Sequence, residues 1–149
     1  MNKIEKLRLC NLWLMVSGLL VLMSGLQMEV CGGCGCFGLP FSLLMYVHCA
    51  LGIFMFVLVA IHLYLHFGKC NWFSKIKGMK NIRTKWLAVC FSITVILSIV
   101  AFFHILETMK HTPIGGIHGK IGFFFLAYCL GHTIKRWKWV KKQIFKTDN

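Results

Sequence analysis

HCALGIFMFVLVAIH, residues 48–62, is apolar except for a histidine at each end. His48 and His62 are 14 residues apart, about 21 Å along a helix at 1.5 Å per residue. Fourteen steps of about 100° fall only about 40° short of four turns, so both imidazoles leave nearly the same face. The arrangement recurs in HGKIGFFFLAYCLGH, from His118 to His132. Each copy has a glycine four residues after its first histidine, Gly52 and Gly122, giving H-x3-G-x9-H twice. Histidine is costly in a bilayer core and marks functional sites there. Four of them at matched heights on two helices imply two stacked metal centres, each taking one ligand from each helix.

The composition places these runs in a membrane. Of 149 residues, 58% are hydrophobic and 14% charged, against about 25% charged in a soluble domain. Mean hydropathy is +0.71. A span takes about 20 apolar residues, which leaves room for four. The expected architecture is an all-α, four-helix transmembrane bundle forming one domain over residues 1–149. Its spans fall at about 9–28, 41–67, 86–106 and 114–134, followed by a basic interfacial tail over 135–149.

A net charge of +13 would suit nucleic acid, but its distribution argues against that partner. Lys3, Lys6 and Arg8 precede the first span. Lys69, Lys75, Lys77, Lys80, Arg83 and Lys85 lie between the second and third. Lys135, Arg136, Lys138, Lys141, Lys142 and Lys146 follow the fourth, and only Lys110 and Lys120 fall elsewhere. The positive-inside rule then puts both termini in the cytoplasm. The cations face anionic lipid headgroups, with Trp72 and Trp86 at interface depth. The alternating tail KRWKWVKKQIFK reads as a helix lying along the inner surface.

The first span reads as a retained helix, since no A-x-A-like cleavage site follows it. Ser17-Gly18 and Ser24-Gly25 repeat at 7 residues on one face. Such small residues admit a neighbouring helix, the preferred reading, or a flat macrocycle. Spans two and four both run from outside to inside. His48 and His118 therefore share the outer leaflet, and His62 and His132 the inner one.

Two histidines on opposite sides of one metal suit the axial positions of a haem iron. Zinc and copper recruit three or four close protein ligands. No C-x-x-C-H occurs, so covalent attachment has no support, and two non-covalent b haems are expected. His66, one turn past His62, is a candidate for a propionate contact, a quinone site or a substitute ligand; the 14-residue spacing favours His62. His104 and Glu107 read first as an interfacial polar contact and second as a proton relay. Lys120 and His111 outside, and Lys135 and Arg136 inside, are candidate propionate partners.

Cys31, Cys34 and Cys36 form C-x-x-C-x-C in a glycine-rich outer loop. A disulfide, a zinc or iron–sulfur site, and a reactive thiol are all open there. Cys10, Cys49, Cys70, Cys90 and Cys129, in or beside spans, read as small apolar residues.

The paired histidines resemble those of membrane di-haem cytochrome b subunits. In that family four helices hold two bis-histidine b haems through ligand pairs 14 residues apart on two parallel helices. The small size and the HLYLH end of span two look like the compact members beside hydrogenases, formate dehydrogenases and other respiratory modules. The resemblance covers Leu9 to Trp139 and is specific at His48, His62, His118 and His132. It implies electron exchange between an external redox subunit, such as an iron–sulfur protein or cytochrome, and menaquinone or ubiquinone in a prokaryotic inner membrane. The chain would then be an electron-transfer subunit and not a complete enzyme. Two alternatives are a quinone-linked thiol oxidoreductase using Cys31, Cys34 and Cys36, and a soft-metal transporter. The first lacks a second cysteine pair in the loop from Glu107 to Gly116. The second leaves the matched histidines unexplained.

Overall fold

The computed structural model describes residues 2–30, 40–68, 74, 78, 82–108 and 113–135. Four long helices carry the architecture: α1 (Lys3–Val30), α2 (Phe41–Phe67), α3 (Ile82–Thr108) and α4 (Pro113–Lys135). All four are long and apolar enough to cross a membrane, so the chain is a multi-pass membrane protein of the expected fold class. The expected spans all fall within these helices; α1 and α3 extend them by up to a turn or more. Backbone hydrogen bonds are satisfied inside each helix, as a bilayer requires.

The helix ends have local causes. Asn2 and Glu5 form a reciprocal capping box at the start of α1: the Glu5 N–H donates to Asn2 Oδ1, and the Asn2 N–H to Glu5 Oε2, each at 2.9 Å. Each side chain thereby satisfies a backbone donor with no helical partner. Pro40, with φ −67° and ψ 146°, precedes α2. Its carbonyl accepts from the amides of Leu43 and Leu44. Gly68 ends α2 at φ 76°, a left-handed conformation that suits glycine, and its N–H donates to the Tyr64 carbonyl at 2.8 Å.

The closest packing is within two antiparallel hairpins, α1 with α2 and α3 with α4; α1 also contacts α4. The buried residues of α1 are Cys10, Ser17 and Ser24, a stripe of small side chains every seven residues. Ser17, 1% exposed, donates to the Leu14 carbonyl, and Cys10 Sγ donates to the Leu58 carbonyl of α2 at 3.4 Å. A β-carbon on Gly18 would touch Leu126 of α4 at 3.6 Å, and one on Gly119 would stand 3.6 Å from Glu29 Oε2. Ascending numbers on α1 thus meet descending ones on α4. Since α1 is antiparallel to both, α2 and α4 are parallel.

The second hairpin is pinned where Tyr128 donates its hydroxyl to the Arg83 carbonyl at 3.2 Å. Phe91 of α3 stacks on Phe56 of α2, with ring centroids 6.0 Å apart, and leans on Phe125 of α4 at 5.6 Å. This row joins three helices at mid-height. Large apolar side chains elsewhere face outward, such as Leu19, Met23, Ile96 and Ile134. That is the surface a lipid-embedded bundle presents, because lipid tails are as apolar as its core.

Candidate functional site

A cavity of about 680 Å³ opens between the helices, and all four line it. That lies within the usual range for cofactor and ligand pockets, about 300–1,000 Å³. His48 of α2 and His118 of α4 both face it. Their ring centroids stand 6.2 Å apart, with the planes at 73°. Parallel helices and equivalent register bring these two residues to one level.

Serines from the other two helices hold the rings. Ser24 Oγ of α1 lies 2.9 Å from His48 Nδ1 and donates its own proton to the Val21 carbonyl at 3.0 Å. Its lone pair therefore takes the Nδ1–H of His48. Ser98 of α3 repeats the device, with Oγ 3.4 Å from His118 Nδ1 and a bond to the Thr94 carbonyl at 2.8 Å. If each serine proton goes to its own helix carbonyl, Nδ1 would be the protonated nitrogen and Nε2 would keep its lone pair. The same hydrogen-bonding pattern orients metal-binding histidines generally.

Glycines shape the walls. The matched Gly52 and Gly122 line the cavity, and a β-carbon on either would meet nothing within 4 Å. They leave open space beside the rings and are not helix-contact residues. Gly25 is tight: a β-carbon there would stand 3.2 Å from His48 Cε1. Phe56, Phe91 and Phe125 also line the cavity. Phe125 is midway in sequence between His118 and His132, so this aromatic row separates the two histidine levels.

These residues fit a flat metal-centred group. Two imidazoles bonded trans to one metal at about 2.0 Å each place their ring centroids about 6 Å apart, as His48 and His118 are. Among the described residues no three of His, Cys, Asp and Glu converge on one point. A tetrahedral protein site of the zinc kind needs more donors than this level offers.

His62 and His132 are half-buried, near the ends of α2 and α4, each 14 residues on from His48 and His118 respectively. The His66 ring lies against His62, with centroids 4.7 Å apart, and His66 is exposed. On α3, His104 is half-buried and Glu107 exposed. Glu29 and Lys120 line the cavity, and both are exposed. Lys135, also exposed, ends α4. Cys10, Cys49, Cys90 and Cys129 are free thiols in the spans. His111, Arg136, the interfacial tail beyond Lys135 and the loop holding Cys31, Cys34 and Cys36 lie outside the described residues, as do Cys70 and Trp72.

Sequence reasoning missed Ser98 and the Phe56–Phe91–Phe125 row. It singled out Ser24-Gly25 mainly for helix packing, whereas Ser24 and Gly25 contact His48. Comparison of the chain with known protein families, curated proteins and solved structures finds no match.

Proposed function

We propose that this protein is a di-haem b-type cytochrome that carries single electrons across a membrane between an external redox partner and a quinone. His48 and His118 are the axial ligands of the outer haem, and His62 and His132 those of the inner one. The observation that carries this reading is the 6.2 Å separation of the His48 and His118 rings across a cavity lined by all four helices. Each haem, when bound, would supply an iron that takes up or releases one electron at a time.

The chain's own residues do the rest. Ser24 and Ser98 fix the ring tautomers. Gly52 and Gly122 keep the space beside the rings clear. The apolar helices exclude water from the site. Lys120 at the outer rim and Lys135 at the inner end are placed to pair with carboxylates at each level. The levels are about 21 Å apart along the helices, so two centres together span most of a hydrocarbon core about 30 Å thick. The cationic segments orient the bundle with both termini in the cytoplasm, and the resemblance to di-haem cytochromes b implies a prokaryotic inner membrane. Menaquinone or ubiquinone then exchanges electrons with the chain inside the membrane.

The test is a reduced-minus-oxidised absorption spectrum of the purified protein, with haem quantified per chain. Two b-type haems per chain are expected. A haem-free chain from haem-sufficient cells would overturn the reading.

A further inference from the structure

Ser24 and Ser98 occupy equivalent places in the two hairpins. Each sits on the helix preceding a histidine helix, is hydrogen-bonded to its own helix backbone, and meets Nδ1 of the histidine across the hairpin. They are not equally close: 2.9 Å at Ser24 and 3.4 Å at Ser98. Ser24 is 6% exposed, so water cannot readily replace it. Gly25 lets its helix approach the His48 ring edge, where a β-carbon would come within 3.2 Å.

We propose that Ser24 is a positioning residue that sets the reduction potential of the outer haem through the His48 ring, with Ser98 as its weaker counterpart on His118. The inference rests on the haem reading above. An acceptor on Nδ1–H pushes electron density toward Nε2 and makes the imidazole a stronger donor. A stronger axial donor favours the oxidised iron over the reduced one, so the serine lowers the potential. The 0.5 Å difference in hydrogen-bond length makes His48 the more strongly tuned of the two ligands. The serines, with the Val21 and Thr94 carbonyls that also engage the two imidazoles, help hold the rings at 73° to one another.

The experiment is a potentiometric titration of the visible spectrum, with haem counted per chain. Ser24→Ala, Ser98→Ala and Ser24→Thr are compared with the unaltered protein. Each is repeated in a His62→Ala background to isolate the outer haem. Ser24→Ala should retain both haems and raise the outer potential, with reduction favoured by about tenfold, or about 59 mV for one electron. The inner potential should stay where it was. Ser98→Ala should shift the outer potential in the same direction by less, and Ser24→Thr should restore it. Where Ser24→Ala loses the outer haem, Ser24→Cys, of similar size and a poorer acceptor, carries the same titration. An unchanged outer potential, or equal shifts in both haems, overturns the proposal. Absence of haem from the unaltered chain overturns the haem reading and this role with it.

Discussion

Gly25 of α1 lies so close to the His48 ring that an added β-carbon would stand 3.2 Å from Cε1. That contact is tighter than ordinary van der Waals separation, so the ring must yield. Gly25→Val should displace the imidazole and break its bond to Ser24. The expected result is loss of the outer haem, with the inner haem and the helical circular dichroism unchanged. A valine variant with two haems and an unshifted spectrum would show that the ring position has no bearing on binding.

Gly52 and Gly122 predict effects of opposite sign on stability and cofactor content. Helix-interior glycine costs about 1 kcal/mol relative to alanine, and here a β-carbon meets no neighbour. Gly52→Leu should stabilise the cofactor-free bundle while filling the space beside His48. Thermal unfolding of apo protein should move upward as haem per chain falls from two to one. Stabilisation with full haem content would mean the open space has another use.

The four histidines divide by level. His118→Ala and His48→Ala should each remove the same haem, and His62→Ala and His132→Ala the other, with the fold retained. Pyridine haemochrome counts and redox titration of the remaining haem distinguish the pairs. If His48→Ala and His62→Ala removed the same haem, the pairing by level would be wrong. Loss of the inner haem from His66→Ala and not from His62→Ala would reassign the ligand within the pair that stands 4.7 Å apart.

Phe125 is buried, 5% exposed, against Phe91. Phe125→Ala removes a ring from the row joining α2, α3 and α4. In soluble cores such a change costs about 3–5 kcal/mol; lipid surroundings reduce the solvation part and leave the lost packing. Unfolding in mixed detergent should occur at lower denaturant concentration, with stability reduced by roughly 1–3 kcal/mol on that reasoning. Tyr128→Phe, at the exposed bond to the Arg83 carbonyl, should cost about 1 kcal/mol or less. Equal losses would show that the aromatic row adds nothing beyond a surface bond.

The charge distribution gives a topology prediction independent of haem. In a chain retaining only Cys34, a membrane-impermeant maleimide should label intact cells or right-side-out vesicles. A chain retaining only Cys70 should react after the membrane is opened. The reverse pattern would invert the assignment of outer and inner levels while leaving the histidine pairs intact.

The helices and the shared height of His48 and His118 were legible because hydropathy and the 3.6-residue period are local properties of the chain. His48 and His118 could be matched without a structure, since two equal spacings on parallel helices fix equal heights. Ser24 and Ser98 lay beyond that reach. Their separations from the histidines they meet, 24 and 20 residues, depend on the lengths of the connecting loops, which follow no period. The two serine–glycine pairs of α1 looked alike in sequence and proved different. Both hydroxyls bond back to their own helix, and Ser24 also meets a histidine. The Phe56–Phe91–Phe125 row was hidden among 13 phenylalanines, most of which could as well face lipid.

The two hairpins are closely packed within themselves, and the cavity lies where they face each other. Each contributes one histidine and one serine to the His48–His118 level, so neither is a complete receptor. A group filling the cavity would therefore touch both hairpins at once and tie two separately packed halves together across the seam.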